Sequence, residues 1–216
     1  MIKKIIFAVA IASGLLNANE LQNSIDRAVV IVRDFEALPE KGIPHDVLKN
    51  AEGLAILNLI KAGVIVSGRG GVGLVVARIP GGWSAPCAIG VGGAGFGAQI
   101  GAEVTECILV LNTKEAVIAF SKAKNFTLGG NVSVAAGPVG RALEGQVTPK
   151  AAVYSYSLSQ GLFAGISLEG TIIAVRKEVN NEFYKGHWSA REILSGKIPR
   201  PASAKLLYQE LNKYNQ

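Results

Sequence analysis

Between Glu20 and Leu38, apolar residues recur at Leu21, Ile25, Ala28, Val32 and Phe35. That spacing draws one stripe along an α-helix. Arg27, Arg33, Asp26, Asp34 and Glu36 fall on the other faces, and Pro39 ends the segment. Pro44 opens a shorter predicted helix that runs to about Asn50, and Gly53 stops it. From Gly53 to about Leu111 the pattern changes to short apolar runs separated by Gly, Pro and Asn. They are 54–60, 64–67, 72–78, 83–90, 93–103 and 107–111. Runs of this length with tight turns predict an antiparallel meander or barrel. Asn112-Thr-Lys-Glu115 starts a further helix, with Asn112 placed to cap it and Glu115 to reach back. Strands resume at 126–136, 145–147, 151–157 and 162–175. A Ser189-Ala-Arg-Glu192 capping box and a helix near 202–214 close the chain.

Glycine refines this picture. Half of the 26 glycines lie between Gly63 and Gly101, among Val, Ile, Ala and Phe rather than among Ser or charged residues. Glycine in that company marks backbone that bends tightly or is closely approached by another group. From Gly90 the glycines alternate, with a one-residue slip between Gly92 and Gly93. Period two marks a strand, and the slip predicts a β-bulge. One face of that strand is almost without side chains, so something is expected to lie close against it.

The pattern G-x-G-x-x-G occurs at Gly68, Gly70, Gly73 and at Gly90, Gly92, Gly95. A dinucleotide cradle needs a helix directly after the glycines. The first copy runs instead into Leu74-Val-Val-Ala-Arg78 and a Pro80-Gly-Gly82 turn, which is strand followed by hairpin. The glycines are therefore read as architecture. Ser84 and Ser167 have no G-x-S-x-G elbow, and nothing in the spacing unites Glu103 with Glu169. His45 and His187 are far apart and have no metal-ligand spacing with Cys87 or Cys107. No catalytic residue, metal or cofactor is expected. The two cysteines sit on separate strands, either as buried thiols or as a pair if those strands are neighbours.

At 216 residues, 49% hydrophobic and 18% charged, the chain suits one domain with a substantial core. Met1-Ile-Lys-Lys followed by an apolar run from Ile5 to Leu16 has the form of a secretory signal, with cleavage after Ala18. The alternative is an uncleaved anchor at a membrane surface. The run is shorter than the roughly 20 residues that span a bilayer. Removing residues 1–18 lowers the formal charge from +6 to +4 by taking away Lys3 and Lys4. Aromatics at 6% and the absence of any Lys/Arg run longer than two argue against nucleic acid. An anionic membrane surface is the more natural acidic partner. Arg69, Arg78 and Arg141 are further candidates for lipid phosphate, set against ordinary pairing with carboxylates such as Glu103 or Glu144.

Several blocks in order make the chain recognisable: GLAILNLIKAG (53–63), GRGGVGLVVAR (68–78), WSAPCAIG (83–90), GFGAQIGAEV (95–104), FTLGGNVSVAAGPVGR (126–141), SYSLSQGLFAGISLEG (155–170) and NNEFY (180–184). Together they resemble the SYLF domain, a lipid-binding module of yeast actin-patch proteins and their animal relatives. The resemblance runs from about Glu20 to Tyr214. It implies an α+β fold with a glycine-rich antiparallel β core, closed or barrel-like, and flanking N-terminal, middle and C-terminal helices. It also implies non-enzymatic binding of phosphoinositide-type anionic phospholipid, with actin binding in the yeast relatives. In that family the N-terminal amphipathic segment carries the lipid contact. Carried over, this assigns lipid binding to Arg27, Arg33, Lys41, Lys49 and Lys61. The competing reading docks the apolar stripe of Glu20–Leu38 onto the β core. Residues 1–18 are expected to be a signal peptide and 19–216 the lipid-binding domain of an exported bacterial member. The domain would act in the periplasm or cell envelope, at an anionic phospholipid surface or on an envelope protein partner.

Overall fold

The computed structural model describes residues 20–38, 42–63, 66–96, 101–122, 125–130, 132–139, 151–159 and 171–215. In chain order the elements are α1 (Glu20–Glu36), α2 (His45–Lys49), β1 (Gly53–Gly63), β2 (Val66–Ile79), β3 (Gly82–Trp83), β4 (Cys87–Phe96) and β5 (Gly101–Leu111). They continue with α3 (Lys114–Ser121), β6 (Phe126–Thr127), β7 (Val134–Ala136), β8 (Val153–Ser159), β9 (Ile172–Val175), α4 (Lys177–Phe183), α5 (Ala190–Leu194) and α6 (Lys205–Asn212). Short 3-10 turns flank α6 on both sides. The expected signal peptide, Lys41, Arg141, Glu144, Ser167 and Glu169 lie outside the described residues.

One curled sheet, a half-barrel, organises the molecule in the order β6-β9-β4-β2-β1-β5-β8-β7, with β3 paired to the end of β2. The α+β architecture with a barrel-like β core follows the sequence reading. The pairing is antiparallel except between β7 and β8, which run parallel. The glycines do not divide the strands as the apolar runs suggested. β2 continues through Gly68, Gly70, Gly71 and Gly73, so the expected runs at 64–67 and 72–78 belong to one strand. The expected bulge at Gly92–Gly93 is also absent. Every residue from Val66 to Val75 has a partner between Phe96 and Cys87 without a break in register. Backbone pairing depends on N–H and C=O groups, which glycine retains, so a slip in side-chain pattern need not slip the ladder.

Alternation then sends two apolar sets to opposite faces. On one face Leu54, Ile56, Leu74, Val76, Ile108 and Val110 meet the α1 stripe of Leu21, Ile25, Ala28, Ile31, Val32 and Phe35, together with Leu207 and Leu211 of α6. On the other face Leu57, Val75, Ile89, Cys107, Leu109 and Leu111 pack under Phe120 of α3 and Ile193 and Leu194 of α5. The sheet's middle is thus covered on both sides, which explains why its strands read as nearly continuous apolar runs.

Local chemistry fixes the ends of these elements. Gly81 and Gly82 take φ of 82° and 132° and turn β2 back into β3. Ser189 and Glu192 form the expected reciprocal cap of α5. The cap of α3 is Thr113 rather than Asn112, whose side chain donates to the Ala151 carbonyl 2.9 Å away. Cys87 and Cys107 are both free and buried. They lie on β4 and β5, which β2 and β1 separate. Three interstrand intervals hold them about 14 Å apart, far beyond disulfide reach.

Candidate membrane-facing surface

Helix α1 lies against β4, β2, β1 and β5. Glu20 at its start is ion-paired to Arg176, which follows β9, and Glu36 at its end is paired to Lys213 beyond α6 at 2.8 Å. The apolar stripe faces the sheet and is buried, with Leu21, Ile25 and Ile31 each 1% exposed. The docking reading of that stripe is therefore the one the fold adopts.

The cations proposed from the sequence are distributed rather than gathered. Arg27 pairs with Glu106 of β5. Burial pushes the Glu106 carboxyl up from its ordinary value, Arg27 opposes this, and Asp34 adds to the rise. Arg33 reaches Glu210 of α6 at 2.7 Å. Glu210 is buried, and its carboxyl is held below the usual range by Lys213 first, with Arg33 assisting against the cost of burial. Lys49 is exposed at the end of α2. Lys61 belongs to β1, eight residues beyond Gly53, so the strand's rise places it about 27 Å from the Gly53 end beside α2. There it sits between Arg69 of β2 and Glu103 of β5 in the register. Arg27 and Lys61 lie towards the glycine-rich end of the sheet, and Arg33 and Lys49 towards the other.

Other candidates prove structural. Arg78 stacks on buried Trp83 at 3.8 Å and donates to the carbonyls of Leu48, Lys49 and Ala51. Asn180, in the NNEFY block, is wholly buried. Its side chain accepts from the Ala88 N–H at 2.7 Å and donates to the Ala88 carbonyl, standing in for a neighbouring strand. Tyr184 in the same block donates to the Pro86 carbonyl at 2.5 Å.

The sequence did not single out the apolar end of the sheet face that carries α1. Eight large hydrophobic side chains are exposed among the described residues. Four of them, Ile60, Val72, Val104 and Ile172, share this face. Ile60 is 53% exposed and lies directly opposite Val104. Ile172 is paired with Gly92, and Val72 with Gly90. Arg27 and Asp34 both interact with Glu106, so the helix ridge that contains Val30 borders the same area. A trough of about 440 Å³ lies here, lined by Val72, Gly90, Gly92, Ile172, Ala174 and Arg176 among others. In the sequence, Ile60 and Val104 were indistinguishable from core positions. Only the place where α1 stops covering the sheet separates them.

The sequence profile described as Ysc84, a Las17-binding protein actin regulator, matches residues 92–214. The chain belongs to the Ysc84 family. It is 48% identical over 206 residues to the rat SH3 domain-containing YSC84-like protein 1, covering 92% of this chain and 61% of that protein. It is 49% identical over 175 residues to a fission-yeast SH3 domain-containing protein, covering 79% of this chain and 41% of the relative. The budding-yeast LAS seventeen-binding protein 3 is 49% identical over 174 residues, covering 78% of this chain and 38% of the relative. The chain thus spans about three fifths or less of the length of these relatives. The Ysc84 resemblance carried by the glycine-rich blocks and the NNEFY block is a family relationship. The structure gives the described residues of those blocks mainly architectural work.

Proposed function

We propose that this Ysc84-family chain is a non-enzymatic module that binds an anionic phospholipid surface, of phosphoinositide type in its chemistry, in the cell envelope after export through residues 1–18. The observation that carries this reading is the exposed apolar end of one sheet face, with Ile60, Val72, Val104 and Ile172 beside Arg27 and Arg176. An apolar surface rimmed by cations suits a membrane interface, where hydrocarbon and phosphate lie within a few ångströms of each other. From the sequence, Arg27, Arg33, Lys41, Lys49 and Lys61 are the candidates for headgroup contact. Of these, Arg27 and Lys61 lie towards the apolar end. The family description, an actin regulator that binds a protein, supports a binding role rather than catalysis. The two thiols support it too, since burial pushes both up to about 12 and removes their nucleophilicity at neutral pH.

The names of the family and its budding-yeast relative favour a second reading, an envelope module that docks a protein partner. Co-sedimentation with phosphatidylcholine vesicles, with and without phosphatidylglycerol, separates the two. Lipid binding is expected only with the anionic lipid, and is expected to weaken from 0.05 to about 1 M salt as the screening length falls to roughly 3 Å. Equal sedimentation with neutral and anionic vesicles, or none with either, would overturn the membrane reading.

A further inference from the structure

Among the described residues, nothing packs closely enough against two glycines on the α1-bearing face to require glycine there. Ile172, Gly92, Gly70, Ile60 and Val104 form one straight row across β9, β4, β2, β1 and β5. A Cβ built on Gly92 would meet no described atom within 4 Å, and one on Gly70 would meet only the Val91 carbonyl oxygen at 3.9 Å. Their neighbours on the opposite face behave differently. A Cβ on Gly71 would overlap the Asn58 carbonyl oxygen, and one on Gly73 the Ile56 carbonyl oxygen. The sheet's tight curl accounts for Gly71 and Gly73 and leaves Gly70 and Gly92 unexplained. Glycine inside a strand is less stable than alanine, because more backbone freedom is lost on folding. Where packing among the described residues does not require it, the remaining reason is close approach by another group.

The shape of the gap identifies what approaches. Gly70 and Gly92 form a floor between two walls, Ile172 on β9 and Ile60 on β1, whose strands are three intervals or about 14 Å apart. An α-helix with side chains is about 10–12 Å across and does not settle between side chains raised on both walls. An extended peptide fits the width but finds no partners there. The backbone groups of β2 and β4 at this point are committed to the ladder, so the peptide's own N–H and C=O groups would be buried unpaired. A hydrocarbon chain has no such groups. The end of the trough beneath α1 is polar: the Arg176 side chain lies 3.3 Å from the Cβ position of Gly90, and Asn58 stands in the same row beyond Val72. A guanidinium at one end of an apolar trough complements an amphiphile with an anionic head.

We propose that the Gly70–Gly92 trough holds one acyl chain of an anionic phospholipid, drawn from the membrane with its headgroup towards Arg176. The inference rests on the membrane reading above and specifies how the lipid is held. Glu20, now paired with Arg176, is the carboxylate that the headgroup phosphate displaces.

The test uses the full chain, freed of lipid and incubated with phosphatidylcholine vesicles containing phosphatidylglycerol. The chain is re-isolated from the vesicles and weighed by native mass spectrometry. Wild type is expected to carry one phospholipid per chain. Gly70→Val and Gly92→Val are expected to keep or raise Tm, because the added side chains enter open space. Their uptake is expected to fall by about tenfold or more, the loss that follows when roughly two methylenes can no longer be buried. Uptake equal to wild type in both variants would overturn the trough. So would unfolding of both, since the glycines would then serve the sheet. Wild type that sediments with anionic vesicles yet retains no lipid would overturn the trough and leave the membrane reading standing. Wild type that fails to sediment would remove the membrane reading and the trough with it.

Discussion

Asn180 shows how one polar side chain can hold a sheet edge. The Arg176 N–H just beyond β9 still donates to the Ala88 carbonyl at 3.0 Å. The acceptor that a longer strand would have given the Ala88 N–H is supplied by the Asn180 amide oxygen. Asn180→Ala leaves the Ala88 N–H buried without its partner, a loss expected to cost about 1–3 kcal/mol. A urea midpoint unchanged from wild type would show that the bond is replaceable. The thiols offer a second test at this scale. Burial raises Cys87, against the opposing Asn180 contact, and Cys107 likewise, each to about 12. The thiolate therefore stays unpopulated across the physiological range and forms only near that pH or on unfolding. Both cysteines are expected to resist Ellman's reagent at pH 8 in the native protein and to react fully in denaturant. Prompt reaction of either in the native protein would contradict its burial.

At the scale of elements, α1 is a helix whose amphipathicity is spent on the protein's own sheet. Apart from Val30 its apolar residues are buried, and its ends and flanks are tied by Glu20–Arg176, Arg27–Glu106 and Arg33–Glu210. Ile25→Ala opens a cavity between α1 and the sheet and is expected to cost about 2–5 kcal/mol, read from chemical denaturation. A loss below about 0.5 kcal/mol would mean that the stripe is not packed there, reopening the alternative in which it lies in a membrane. Arg27 and Arg33 have to be interpreted with the same care. Substituting them removes an ion pair as well as a surface charge, so a binding defect carries weight only when stability is measured beside it.

At the scale of the molecule, among the described residues, α1 and α6 cover one end of one sheet face and leave the other end apolar and exposed. The fold does not need the side chains there. Ile60→Ser with Val104→Ser is expected to leave stability within about 0.5 kcal/mol of wild type, as substitutions at exposed sites usually do. If that end meets the membrane, the same double variant is expected to reduce sedimentation with anionic vesicles. Full retention of vesicle binding by the folded variant would move the contact to another surface.

The sequence by itself determined the elements and much of their chemistry. The period of Leu21–Phe35 specifies a helix, the short apolar runs Leu54–Ile60 and Val72–Arg78 specify strands, and Ser189 with Glu192 specifies a cap, because each depends on neighbours close along the chain. The ordered blocks also made the family legible. Strand pairing belonged to the tertiary structure. Whether Cys87 and Cys107 are neighbours depends on β2 and β1 lying between their strands, and no spacing along the chain encodes that order. The glycines show the division most clearly. Gly71 and Gly70 are adjacent letters in one run, yet curl forces the first while, among the described residues, a Cβ on the second would meet only the Val91 carbonyl oxygen. Likewise Leu59 is core and Ile60 is surface because alternation sends them to opposite faces, and α1 ends its cover before it reaches Ile60. Local pattern chooses an element, whereas burial depends on which distant segment arrives to cover it.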